Sequence, residues 1–272
     1  MENDKIINGN CWVACFDILG FGNDVEQFPP EYVLEQYIKI LEETEWSNVS
    51  HKWFSDCFVF YTKDDSESSF RSIDVALKFF FHRMFTLCIP MTGCLDIGKF
   101  YVDEGKGIFF GRSLVNAHRW VEGQDWIGFV LSEEVEKKID EFKVKCPNGY
   151  WDEFKKYYLN YPVPCKKGVK KCKLLVYNLT IEPYVDNQKA EREQRTLWDC
   201  LGDMEAKAKT LLMEKTRREG IVDLEKCREY KNVIRKYKNT KKFLLYAYPA
   251  LKEITKNGKC DSVNPWQSVS KK

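Results

Sequence analysis

The chain is 272 residues long, 44% hydrophobic and 31% charged, with Lys+Arg 43 against Asp+Glu 41 and a formal net charge of +2. This length and apolar content suffice for a sizeable buried core, which excludes a disordered or fibrous chain. The near-balanced charge excludes wholesale attraction to nucleic acid or to a membrane surface, so no nucleic-acid partner is expected and any basic site must be local.

Residues 11–17 form a short apolar strand that ends where Gly20 and Gly22 loosen the backbone. Pro29 and Pro30 then lead into a helix over 31–43, with Val33, Leu34, Tyr37, Ile38 and Leu41 on one face. Residues 49–62 read as a hairpin whose polar tip is Ser55 and Asp56. A very apolar helix follows over 68–88, with Phe70, Ile73, Leu77, Phe80, Phe81 and Met84 as its core stripe, and it stops before Pro90. Next come strands at 92–102 and 107–110, a helix at 112–122, a strand at 127–131 and a helix capped by Ser132. The order β-α-β-β-α-β predicts a ferredoxin-like α+β fold, an antiparallel sheet with helices on one face. A last hairpin is expected from 159–165 and 173–180, around a lysine-rich loop.

The organisation expected is thus a domain over 9–181, a charged helical extension over 186–255 and a flexible tail over 256–272. The extension's apolar residues look too sparse for a core of its own, which suggests docking on the first domain or on another subunit. Eleven cysteines form no C-x-x-C pair and are odd in number. With no signal-peptide pattern or long apolar span, this predicts a reducing cytoplasm, no disulfide framework and no direct membrane insertion. Cys146, Cys165 and Cys172 lack the paired spacing of a structural zinc site.

Asp17 in WVACFDILGF and Asp56 in KWFSDCFVFY each follow an apolar run at a turn, so one sheet edge could carry both. Two such carboxylates suit Mg²⁺ or Mn²⁺, hard ions whose coordination is commonly completed by substrate phosphates. Taken singly, each is better explained as a turn aspartate; together they read as a metal clamp.

The segments FDILGF, FSDCFVF and GIFFGRSLVNAHRWVE resemble, in order and spacing, the class III nucleotidyl cyclase domain, and the resemblance spans about residues 9–181. Within that family the chain looks most like the bacterial pyrimidine cyclases of Pycsar antiphage systems. The resemblance implies two divalent ions held by Asp17 and Asp56 with help from the Ile18 carbonyl, and a nucleoside triphosphate cyclised to a 3′,5′-monophosphate with loss of diphosphate. UTP or CTP is the implied substrate. It also implies a cytoplasmic homodimer with sites shared between subunits, and a separate effector that responds to the cyclic nucleotide. Arg119 falls at the family's phosphate-stabilising arginine, and Arg112, at a helix start, is a competing phosphate ligand.

Val115 stands where purine cyclases carry a ribose-orienting asparagine, and Asn116 lies about 100° further round the helix. Lys52 falls at the base-recognition lysine of adenylyl cyclases, whereas Ile108 replaces its polar partner. Lys52 therefore reads either as a pyrimidine-carbonyl ligand or as an exposed strand lysine. Lys166 and Lys167, in CKKGVKKCK, are candidate triphosphate ligands or part of a solvated basic loop. His118, His51 and Trp53 read as packing or surface residues. Two other functions stay open: an adenylyl or guanylyl cyclase, and a catalytically inactive cyclase-like module that binds nucleotide or acts as a scaffold.

Overall fold

The computed structural model describes residues 6–27, 29–44, 48–145, 149–166, 173–177, 187–218, 220, 228–248 and 251. The chain divides into two compact units, Met1–Met84 with Pro90–Leu179, and Phe85–Ile89 with Thr180–Lys272. The fold is mixed α+β, with a mostly antiparallel sheet, a helical layer and C-terminal helices.

In the first unit the elements run β1 (Ile6–Ile18), α1 (Phe21–Gln27), α2 (Pro30–Glu43), β2 (Val49–Phe54), β3 (Cys57–Thr62), α3 (Glu67–Thr86), β4 (Met91–Asp103) and β5 (Ile108–Gly111). They continue with α4 (Arg112–Gly123), β6 (Gly128–Leu131), α5 (Glu133–Lys145), α6 (Gly149–Tyr157), β7 (Tyr158–Pro162) and β8 (Lys173–Tyr177). The sheet order is β2-β3-β1-β4-β6-β8-β7, with β5 paired to the outer half of β4. The β4–β6 pair is parallel; every other pair is antiparallel.

Side chains alternate across a strand, so register assigns each residue to a face. Trp12, Phe16, Phe58, Phe60 and Phe129 point to one face and are fully buried there. From α3, Phe80 lies 5.3 Å from Phe16 and 4.8 Å from Phe60 between ring centroids, and Phe70 lies 4.9 Å from Trp12. From α2, Tyr37 meets Phe58 edge-on at 5.8 Å. All six residues of the expected α3 stripe are buried. On α2 the buried side is Tyr37, Ile40 and Leu41, while Leu34 and Ile38 are exposed, so the helix is turned slightly from the stripe read in sequence.

Three features differ from the sequence reading. Strand β1 begins at Ile6 rather than residue 11, because pairing with β4 along its whole length carries Asn8, Gly9 and Asn10 into the ladder despite their turn-forming character. Helix α1 occupies the segment expected to be a turn. Helix α6 was not expected; it is anchored by the buried Asp74 of α3, which accepts hydrogen bonds from Tyr150 (2.8 Å) and Tyr158 (2.7 Å) and pairs with Lys78 (2.7 Å).

The second unit contains α7 (Asn187–Arg218) and α8 (Arg228–Ala247), which pack on one another. Leu197, Leu201, Met204, Ile234, Tyr237, Phe243 and Leu244 are buried, a denser apolar set than the charged sequence suggests. The tail expected over 256–272 lies outside the described residues. Among the described residues no helix is long and apolar enough to cross a membrane.

Candidate active site

The second face of the sheet carries the candidate residues. Asp17, at the end of β1, stands directly across from Cys57 on β3 and from Thr92 on β4. Asp56 occupies the two-residue turn before Cys57, and its carbonyl accepts the Ile18 N–H at 2.9 Å. The turn is held again from β2, where Trp53 Nε1–H donates to the Ser55 carbonyl at 2.5 Å. Ser55 adopts a φ of 56°, uncommon for a residue with a side chain and tolerated in a turn pinned on both sides. The backbone thus brings Asp17 and Asp56 to one corner of the sheet, and both side chains are only partly buried. The Ile18 side chain is buried.

Electrostatics give the same proximity. The Asp17 and Asp56 charges both act on the Cys57 thiol and push it up. A hydrogen bond with Cys15, whose sulfur lies 3.5 Å away, outweighs them and burial, so Cys57 is held below the usual thiol range. Cys15, which shares that bond and is itself buried, is pushed up correspondingly.

The donor set at this corner fits a hard divalent cation. It offers two carboxylates on adjoining backbone, and among the described residues no group of three or more His, Cys, Asp or Glu could hold a metal ion. A cation bound there would need further oxygen ligands from solvent or substrate, as Mg²⁺ commonly does with phosphates.

Helix α4 lies over this second face, with Leu114 packed against a cluster of Ile7, Cys11, Val13, Tyr61, Phe100 and Val102. Its entry is fixed by Gly111, where a Cβ would come within 2.3 Å of the Lys99 carbonyl oxygen and 2.7 Å of the Phe100 Cα, so only glycine permits the β4–β5 approach. No side chain caps the helix, and Arg112 is exposed at its first turn. Arg119 is exposed two turns later, and Val115 is 48% exposed between them.

Asn116 lies near Asp96, a fully buried carboxylate of β4 whose Oδ1 accepts a hydrogen bond from Ser132 at the start of α5 and whose Oδ2 has no hydrogen-bond partner among the described residues. Burial pushes the Asp96 carboxyl up and Glu134 adds to the rise, while Ser132, the Ile97 N–H and Asn116 pull it down. Sequence reasoning missed Asp96; a lone Asp inside the apolar run MTGCLDIGKF was the available signal.

Lys52 is exposed on the edge strand β2, on the same face as Asp17, with its ammonium 5.8 Å from the centre of the Phe109 ring. Ile108 is 39% exposed on β5. Lys166 is exposed, and its backbone N–H donates to the Gly123 carbonyl at 2.8 Å, tying the loop to the end of α4. Lys167 lies outside the described residues. His118 is exposed and faces Glu122 at 3.6 Å.

No protein-family model matches the chain, and no curated protein matches it. Among solved structures it is similar to the catalytic core of a rhodopsin-guanylyl cyclase with converted specificity, in complex with ATPalphaS, at 14% identity and a TM-score of 0.44 over 64% of this chain and 97% of that one. It is also similar to an adenylate/guanylate cyclase/hydrolase from Silicibacter pomeroyi at 12% identity and a TM-score of 0.37, over 62% and 95% of the two chains. Likeness at this level assigns neither activity nor substrate.

Proposed function

We propose that the chain is a nucleotidyl cyclase that converts a nucleoside triphosphate, UTP or CTP, to its 3′,5′-cyclic monophosphate and diphosphate. The observation that carries this reading is the convergence of Asp17 and Asp56 on one sheet corner. Asp17, Asp56 and the Ile18 carbonyl would hold Mg²⁺ or Mn²⁺, which when bound polarises phosphate oxygens and favours the ribose 3′-alkoxide. The chain's own groups then orient the triphosphate. Arg112 meets phosphate at the uncapped start of α4, where backbone N–H groups also favour an anion, and Arg119 stabilises charge that grows on the transferring phosphoryl group. Lys166 extends the phosphate contacts from the loop tied to the end of α4, with Lys167, outside the described residues, proposed to assist it, and Lys52 contacts the base.

In this reading residues 9–181 are the catalytic domain and 186–255 support or regulate a homodimer in which one subunit's aspartates face the other's Arg119. The product would act on a separate effector in antiphage defence within the cytoplasm.

The test is incubation of the full chain with each of the four triphosphates and Mn²⁺, followed by product identification. Cyclic UMP or cyclic CMP supports the reading; a product from ATP or GTP alone replaces it with a purine cyclase. Mixed Asp56→Ala and Arg119→Ala chains should regain activity that neither has alone, up to about a quarter of wild type if subunits assort at random into dimers.

The inactive-module reading is favoured by one observation, the 48% exposed Val115 at the α4 position where the cyclase reading would want an amide, with Asn116 lying near the buried Asp96 instead. No product from any triphosphate, and no change in melting temperature with Mn²⁺ and triphosphate, would select it.

A further inference from the structure

The second unit carries a charge feature that the cyclase reading does not use. Helix α8, with the sequence REYKNVIRKYKNTKKFLLYA, holds seven Lys or Arg and one acid, an excess of six positive charges in a chain whose net charge is +2. Its one acid, Glu229, is taken by Lys215 at 2.9 Å, and Lys241 is taken by Glu205. Arg228, Lys231, Arg235, Lys238 and Lys242 are all exposed. At 3.6 residues per turn they fall in a stripe about 80° wide and roughly 21 Å long. Among the described residues no carboxylate forms a salt bridge with Lys231, Lys238 or Lys242. A groove of about 300 Å³ runs beside the stripe, lined by Tyr230, Lys231, Ile234, Arg235 and Lys238.

We infer that this face of α8 binds the phosphate backbone of a nucleic-acid strand, without regard to base sequence. Like charges three and four residues apart on a helix repel one another, and a polyanion laid along the stripe relieves that repulsion. Cations at nearly regular intervals match a ligand whose charge also repeats at short intervals, which is the charge pattern of a nucleic-acid backbone. Tyr230 adds an aromatic edge beside the cations, the pairing that single-stranded segments use.

A lipid surface fits less well. A helix that lies in a bilayer interface inserts an apolar face, and the apolar side of α8, with Ile234, Tyr237, Phe243 and Leu244, is already buried in the protein. The balanced net charge of the chain is compatible with this site because the excess is confined to one helix face. The inference does not depend on cyclase activity.

The test is fluorescence anisotropy of the full chain with a labelled 20-nucleotide single strand and the matching 20-base-pair duplex, at salt from 50 to 200 mM. Five phosphate contacts predict a slope of log K against log salt of about −3.5 for the single strand and about −4.5 for the duplex, a weakening of about 100- to 500-fold across that range. The triple variant Lys231→Gln, Arg235→Gln, Lys238→Gln keeps good helix formers at exposed positions, so it should fold, as its circular dichroism would verify, and should lose binding. The single variant Lys242→Gln should reduce the slope by about 1 and weaken all sequences equally. No binding at 50 mM salt, a slope shallower than about −1, or binding retained by the folded triple variant would overturn the inference. So would capture by phosphatidylserine vesicles in preference to either oligonucleotide at equal phosphate concentration.

Discussion

The two faces of the sheet are made from the same strands, yet they differ in burial and in the residues they carry. On one face, alternate residues of β1 and β3 (Trp12, Phe16, Phe58, Phe60) interlock with α2 and α3, and burial is complete. On the other, the intervening residues are Cys15, Asp17, Cys57 and Val59, with Lys52 alongside, and several remain partly exposed. A change on the first face should therefore act through stability and, under the cyclase proposal, one at Asp17 or Asp56 on the second should act through chemistry. Asp56→Ala should lower cyclic nucleotide formation by about 10³-fold, the scale of removing one charge-stabilising group, while thermal stability stays within about 0.5 kcal/mol of wild type. Phe16→Ala, which empties a site between Phe80 at 5.3 Å and Phe129 at 5.3 Å, should cost about 3–5 kcal/mol in denaturant unfolding. Equal destabilisation by both would erase the distinction between the faces.

Acid should separate the faces by another route. His82 on α3 is kept neutral by burial, with Arg83 adding to the effect, and its pKa is lowered to about 4; its Nδ1 has no hydrogen-bond partner among the described residues. The unfolded chain regains an ordinary histidine, so between about pH 4 and 6.5 it binds more protons than the folded one. Stability from this group is fully present above pH 6.5 and lost as pH falls towards 4, on the order of 3 kcal/mol in all. His82→Gln should flatten that part of the stability profile. An unchanged profile would mean that the imidazole is protonated and solvated in the folded protein.

A smaller effect is expected where the covered face is tightest. A Cβ on Gly93 would lie 2.3 Å from the Phe16 ring and 2.9 Å from Phe129, so Gly93→Ala should cost about 1–3 kcal/mol by forcing both rings to move. Gly98→Ala is the contrasting control. A Cβ there would meet only Ser113 Cβ, at an ordinary 3.9 Å, but its φ of 149° places the cost in the backbone.

The covered face was the more legible in sequence. The α3 stripe and the alternation of FVFY on β3 follow from periodicity, which burial of one face imposes. The hairpin tip was legible because Ser55 and Asp56 interrupt two runs of strand formers. What periodicity could not give was set by distant partners. Asn8, Gly9 and Asn10 become strand only because β4 lies alongside, and α6 is held by Asp74, 76 residues before Tyr150 in the chain. The same holds at the candidate site: the two aspartates could be picked out from their contexts, but the placement of Asn116 near Asp96 depends on how α4 is rotated over the sheet.

The least perturbing probe of the second face is the Cys15–Cys57 pair. Cys57 is partly exposed and held below the usual thiol range by the Cys15 hydrogen bond, so its thiolate fraction near neutral pH should exceed that of the buried Cys11 and Cys94, both of which burial pushes up. Iodoacetamide, followed by peptide mass mapping, should therefore label Cys57 well before either. Cys15→Ala removes that hydrogen-bond partner, leaving burial and the two aspartates to raise Cys57, and labelling should slow severalfold with little loss of stability. If the aspartates hold a cation beneath a triphosphate, Mn²⁺ with nucleotide should protect Cys57, which is paired directly across from Asp17. Labelling that ignores both the Cys15 substitution and the nucleotide would mean that this corner of the sheet is neither coupled through the thiols nor covered by substrate.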